Sequence, residues 1–265
     1  MNIIVCVKPV PDPEKYSRLK LDKKTKRLIR DGILSVINPS DKNAMEMALS
    51  LRDIHGGSVI VISMCPSFSA MQIKECLAMG ADKGYILSDE TFGGADTFST
   101  SYTLMEGIKK TKISADLILG GSVSEDGATS QVISQLGEWM QLPHVNDVEH
   151  IAIDDSKAIV KKKIPNGYID YQVELPAVFG VSKGANEPRM ITGKGILSCR
   201  NKEVVVWSSE DIKADTAYLG LAGSPTQPGE LMEPDNRRES VKIQGTPQEV
   251  ADQIIDAIRK SGYQL

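Results

Sequence analysis

Residues 116–132 (DLILGGSVSEDGATSQV) gather groups suited to holding an anion. The apolar run Leu117–Leu119 reads as a short buried strand. It breaks at Gly120-Gly121 into a loop carrying Ser122, Ser124, Asp126, Gly127, Thr129 and Ser130. Val132, Ile133, Leu136 and Met140 then recur near helical spacing. A strand, a glycine-rich turn and a helix N-terminus leave backbone N–H groups without internal partners. The helix dipole favours negative charge at the same place. A phosphate or pyrophosphate suits such a site. An ordinary strand-to-helix loop capped by Ser or Thr fits the segment equally well, and this stretch alone leaves both readings open.

Other chemistry is sparse. No GxGxxG follows the first strand and no GxxxxGK[ST] occurs, which argues against a standard Rossmann dehydrogenase and a P-loop NTPase. There is no GxSxG elbow. His55, His144 and His150 lack metal-ligand spacing, so no metal site is expected. The carboxylate pairs Asp89-Glu90, Glu125-Asp126 and Asp154-Asp155 read as solvated loop ends rather than acid–base pairs. Lys161-Lys162-Lys163 reads as a solvated strand face. A nucleotide site without catalytic groups points to a cofactor carrier, with no catalytic residue.

Bulk properties narrow the field further. A chain of 265 residues, 41% hydrophobic, can bury one large α/β core. A net charge of −4 and 5% aromatics give no electrostatic footprint or stacking platform for nucleic acid. No apolar run is long enough for membrane insertion. Residues 1–7 (MNIIVCV) enter a strand directly, without a signal-peptide pattern. Cys6, Cys65, Cys76 and Cys199 are dispersed, as expected for reduced thiols in a cytoplasmic protein.

The positioning elements follow from hydrophobic period. Strands are expected at 3–7, 58–64, 84–87, 117–119, 177–181 and 204–207. Helices are expected from Asn38-Pro39 to Gly56-Gly57, and over 70–79, 99–110, 132–140 and 247–260. The loop from Lys8 to Pro13 cannot be helical, a hairpin is expected over 18–30, and 183–200 reads as a surface loop. Alternating strands and helices predict an α/β fold: a doubly wound, mostly parallel sheet, Rossmann-like and adenine-nucleotide-binding. Polar loops should converge beyond the carboxyl ends of its strands. The nucleotide- or flavin-binding domain is expected over 1–210, with a β-hairpin extension near 149–175 around Pro165-Asn166-Gly167. An extended arm should follow over 211–265, with a linker rich in Gly and Pro at 220–239. The final helix carries Val250, Ile254, Ile255 and Ile258 on one face, to dock on this domain or on a partner.

Ordered motifs then carry a resemblance. VKPVPD (Val7–Asp12), INPSDKNAMEMAL (Ile37–Leu49), LAMGAD (Leu77–Asp82), LSDETFGGADTFSTSYTL (Leu87–Leu104), DGATSQV (Asp126–Val132), LPAV (Leu175–Val178) and NEPR (Asn186–Arg189) occur in one order. Together they resemble the beta (small) subunit of electron transfer flavoproteins, in the branch related to FixA, over nearly the full chain. The resemblance implies a heterodimer with an alpha subunit, which the C-terminal arm embraces. It implies that this subunit holds either FAD or a structural AMP. The stretch from Phe92 to Thr97 resembles members that hold FAD, take electrons from NADH, and bifurcate them between a low-potential acceptor such as ferredoxin and an acyl-CoA dehydrogenase or reductase. Carried over by motif, the ADP half would rest on Val7, Asn38, Asp41, Met64, Asp126, Gly127, Thr129, Gln131 and Val132. The ribityl and flavin half would rest on Asp96, Thr97 and Thr100. Partner docking would rest on Ala185, Asn186, Glu187, Pro188 and Arg189, with Ala185 where the family places a bulky aliphatic anchor. Ser122, Val123, Ala128 and Ile133-Ser134 also depart from the family pattern. A nucleotide-binding module resembling universal stress proteins is the alternative from another class.

Overall fold

The computed structural model describes residues 1–18, 20–21, 28–29, 34–227, 229 and 240–262. The chain divides into two units, Met1–Gly229 and Glu230–Leu265. In the first, β1 (Asn2–Cys6), β2 (Pro9–Pro11), β3 (Lys20–Leu21), β4 (Leu28–Ile29) and β5 (Ser35–Ile37) precede α1 (Pro39–His55). Then come β6 (Ser58–Met64), α2 (Ala70–Met79), β7 (Lys83–Leu87), α3 (Thr97–Thr111), β8 (Leu117–Gly121) and α4 (Val132–Met140). The unit closes with β9 (His144–Asp154), β10 (Lys157–Ile164), β11 (Gly167–Glu174), β12 (Ala177–Val181), α5 (Gly193–Cys199) and β13 (Val204–Trp207).

Nine strands form one sheet in the order β11-β10-β9-β12-β8-β1-β6-β7-β13. From β9 to β13 neighbouring strands are parallel, and β9-β10-β11 add an antiparallel extension. The central strands are apolar without alternation because both faces are covered. Ile3 and Val5 of β1 join a core with α1 and α2. Ile4 and Cys6 join the opposite core with α3 and α4. The sheet is therefore doubly wound. The chain runs from β1 to β6 to β7 in one direction, then returns to β8 on the other flank of β1. The strand order reverses between β1 and β8, and a crevice opens beyond their carboxyl ends.

Several local expectations need correction. Residues Pro9–Pro11 are a strand paired with β5, because their register with Ser35–Ile37 supplies partners that a loop would lack. Residues 193–199 are helix α5, not loop. Thr192 caps it by accepting from Gly195 N at 3.1 Å. A Cβ on Gly195 would strike the Ala78 carbonyl of α2, so this glycine serves close helix packing rather than a turn. Residues 211–227 belong to the first unit rather than to an arm. The hairpin arms β3 and β4 pair, but the turn expected at Asp22–Thr25 lies outside the described residues, as do 228 and 230–239 of the expected linker.

The second unit contains α6 (Pro247–Lys260), started by a capping box between Thr246 and Glu249. None of its residues is buried, and Ile254 and Ile255 are among its exposed side chains. No helix among the described residues is long and apolar enough to cross a membrane.

Candidate functional site

The crevice at the β1/β8 reversal is closed below by Asp41, on the first turn of α1. Its Oδ2 accepts from Lys8 N at 2.7 Å and its Oδ1 from Gly121 N at 2.9 Å. Asn38 Nδ2 adds a third donor at 3.0 Å. One carboxyl thus ties together the ends of β1 and β8. Burial pushes it up to about 6, against the pull of Asn38 and the two backbone amides.

The loop from Ser122 to Gln131 is held from several sides. Asn38 is only 1% exposed. It donates to Val123 O at 2.9 Å and accepts from Glu125 N at 3.1 Å. Ser40 Oγ donates to the same Val123 carbonyl. Asn38 therefore does not cap α1, as its position beside Pro39 suggests; it makes no side-chain cap bond. Lys8 Nζ meets Asp126 at 2.7 Å and Lys183 Nζ meets Glu125 at 2.6 Å. From β9, Asn146 Nδ2 lies 3.4 Å from Ser122 O and 3.3 Å from Ser130 O. Ala128 and Ser130 adopt φ of 49° and 56°, left-handed values that fold the loop back on itself.

Two helix N-termini face this loop. At α3, Asp96 is the cap: it accepts from Ser99 N at 3.1 Å and from Thr226 N and Oγ1 at 3.0 and 2.7 Å. At α4, Gln131 makes no side-chain cap bond. Its Oε1 instead accepts from Thr97 Oγ1 at 3.0 Å, joining the two helices. The uncapped start of α4 leaves amide donors for an anion.

These elements enclose a cleft of about 520 Å³. Val7, Asn38, Asp41, Met64, Gly127, Thr129, Gln131 and Val132 line it, and so do Asp96, Thr97 and Thr100. Asp126 reaches it through Lys8. The sequence reading missed Thr226, which also lines it. That residue lies in a stretch rich in Gly and Pro and carries no motif. It is seated by Ser224, whose Oγ accepts from Asp96 N at 2.8 Å. Asn38 and Asp41 line the cleft while their side-chain polar atoms bond the loop and the ends of β1 and β8.

The stretch Ala185–Arg189 is fastened to α1. Asn43 and Asn186 bond reciprocally, at 2.7 Å to Asn186 O and 2.9 Å to Asn43 O. Arg189 grips Glu46 through Nε at 2.9 Å and Nη2 at 3.0 Å, and reaches Asp53 at 3.0 Å. Ala185 packs on the first core, Glu187 is exposed and Pro188 is half-buried. The anchor position read at Ala185 thus faces the protein. The apolar side chains left outside come after Arg189: Met190 is 90% exposed, Leu197 62% and Ile196 51%. Burial works against it, but the Arg189 side chain and amide hold the Glu46 carboxyl below its ordinary value of 4.5. A depressed folded value gives stability that is present above about pH 4.5 and lost as pH falls through it. Below that range proteolysis within residues 184–192 is expected to accelerate. Glu46→Gln is expected to give the faster rate already at neutral pH, at a cost of about 1–3 kcal/mol. Limited digestion followed by mass spectrometry reads both.

The chain has a doubly wound α/β sheet with a cleft at the reversal of its strand order. Residues 25–212 match the electron transfer flavoprotein domain. The caffeyl-CoA reductase-Etf complex subunit CarD of Acetobacterium woodii is 41% identical, over 98% of both chains. The electron transfer flavoprotein subunit beta of Clostridium acetobutylicum is 38% identical, over 99% of this chain and 100% of its own. Protein FixA of Azorhizobium caulinodans is 32% identical, over 92% of this chain and 88% of its own. The chain belongs to the electron transfer flavoprotein family, as a beta subunit of the branch that includes FixA. That membership sets aside the stress-protein-like alternative.

Proposed function

We propose that this subunit holds FAD in the cleft, pairs with an alpha subunit that its C-terminal arm embraces, and passes electrons from NADH towards an acyl-CoA dehydrogenase or reductase. Flavin-based bifurcation would send the other electron to a low-potential acceptor such as ferredoxin. One observation carries the FAD reading. Apart from Asp126, which reaches it through Lys8, the residues expected around the ADP half and those expected around the ribityl and flavin half line one cleft. That cleft includes Ser124 and Thr129 as well as Met64, Asp96 and Thr100.

The residues present fit the group. The uncapped α4 start receives the pyrophosphate, with Thr129 and Ser130 supplying hydroxyls beside it. Small residues at Ala95 and Gly127 let the backbone approach closely. Thr97 and Thr100 offer hydroxyls along the far half. The flavin, when bound, supplies a two-electron acceptor that can also give up single electrons. Asp41 keeps the floor of the cleft in place, and the apolar walls Met64, Val132 and Ile133 limit water. Docking of the electron-accepting protein would use the face bearing Met190, Ile196 and Leu197; α1 fastens the stretch before it through Asn43 and Glu46, and α2 packs against α5.

One feature favours the AMP reading: Asp96 is engaged by Ser99 and Thr226, which leaves its carboxylate less able to bind ribityl hydroxyls. Counting the nucleotides released on denaturing the purified complex separates the two. FAD beyond that of the alpha subunit supports the proposal; AMP in its place sinks it. Titration with NADH, with and without a one-electron acceptor, then tests the donor and the bifurcation.

A further inference from the structure

The loop after β8 leaves the sheet between two neighbours. β12 and β1 flank β8, and each is followed closely by a lysine, Lys183 and Lys8. Both lysines stand on fixed backbone. Lys8 N donates to Asp41 Oδ2 at 2.7 Å, and Gly184 N, next to Lys183, donates to Asn43 Oδ1 at 3.0 Å. Their side chains reach neighbouring carboxylates of the loop: Lys8 Nζ meets Asp126 at 2.7 Å, and Lys183 Nζ meets Glu125 at 2.6 Å. Ser124, Gly127, Thr129 and Ser130 line the cleft. Glu125 and Asp126 do not line it, and these are the residues that the lysines hold. The loop is fastened in two different ways. At its start, Val123 O accepts from the buried Asn38 at 2.9 Å and from Ser40 Oγ. Water and salt do not reach such bonds easily. Further along, residues 126–131 are exposed, and the side chains of Lys8 and Lys183 are 48% and 58% exposed. Ion pairs at that exposure are individually weak, and salt weakens them further.

We propose that residues 124–131 are a strap along the cleft, pinned towards both flanking strands by Lys8–Asp126 and Lys183–Glu125, and that unpinning sets the rate at which the cleft exchanges its occupant. Only the occupant's identity rests on reading the cleft as a nucleotide site. The strap hinges at Val123, where the buried bonds end. It moves as a folded piece, because Ala128 N bonds Ser124 O at 2.9 Å. The two pins act together. While one is made, the charges of the other stay close, so opening requires both to break at once. Such an opening is local and leaves the sheet beneath it folded.

Hydrogen–deuterium exchange of the purified two-subunit complex tests this, read on peptides spanning residues 122–131. Raising potassium chloride from about 0.05 M to about 0.5 M is expected to speed exchange there about 3-fold, with peptides of β1 and β8 unchanged. Lys8→Met combined with Lys183→Met is expected to exchange about 5-fold faster at low salt and to respond no further to salt. Exchanging the charges of one pin, Lys183→Glu with Glu125→Lys, should restore slow, salt-sensitive exchange. Release of the co-purified nucleotide, followed by filtration of the same samples, should rise in step. Exchange that ignores salt, or a double lysine variant that behaves as the parent, overturns the strap. Exchange that responds while nucleotide release does not overturns its control of the cleft. A complex that carries no nucleotide in this subunit sinks the reading of the cleft instead, and the strap then stands or falls on hydrogen exchange alone.

Discussion

Asn38→Ala is expected to empty the cleft of the nucleotide proposed for it while the sheet stays folded. The Asn38 side chain bonds Val123 O, Glu125 N, Asp41 and Ser40 Oγ from a position 1% exposed. Alanine removes all four bonds. Val123 O keeps Ser40 as a donor, but Glu125 N loses its partner, at about 1–3 kcal/mol. The loop carrying Gly127, Thr129 and Gln131 is then free to leave the one arrangement that lines the cleft. Apparent affinity falls with the populated fraction of that arrangement, so roughly 100-fold weaker nucleotide binding is expected. Cofactor retained through desalting, read beside the circular dichroism of the same sample, checks both halves. A variant that kept its full cofactor would show that the loop needs no such fastening.

Gly121→Ala should have the larger effect on stability. A Cβ at Gly121 would run into Ser40 Oγ, Asp41 Oδ1 and the Asp41 backbone. Neither side can give way easily. β8 is held in register by β1 and β12, and α1 is packed against it. Overpacking costs about 1–3 kcal/mol, and losing the Gly121 N–H bond to a buried carboxylate adds about 1.5–3. A loss of about 4 kcal/mol is a large part of a typical domain's stability. The urea midpoint should drop sharply, with cofactor lost in step. Gly127→Ala is the control, because its Cβ would meet only the Ser124 hydroxyl, at 3.3 Å. Equal midpoints for the two variants would refute the argument from close approach.

How legible each part was depends on where its partners lie. β6, β12, β13, α2, α4 and α6 have the ends their sequences predict, since buried strands read as apolar runs and helix ends carry Gly, Pro or capping residues. Helix α5 was hidden because Gly193 and Gly195 normally signal a turn, and the need for glycine at 195 arises only from the approach of α2. Asn38 looked like a cap because the residues that cap helices also bond distant backbone. Thr226 and Ser224 carried no signal, since their partner Asp96 lies more than a hundred residues away.

By itself the sequence determined the alternation of strands and helices, the loops that gather at their carboxyl ends, and the ordered motifs that mark the family. These are local properties: hydrophobic period, capping chemistry, and short runs of residues. Only the tertiary structure decided how the groups around Asp116–Val132 are arranged. It gave Asn38 and Asp41 to the frame and left the α4 N-terminus open. It turned Met190, Ile196 and Leu197 outward while facing Ala185 inward, and it brought Lys8 and Lys183 to the loop. Each of those outcomes depends on which polar atoms are already satisfied. That depends on groups brought together from far apart in the chain, which no single stretch of sequence records.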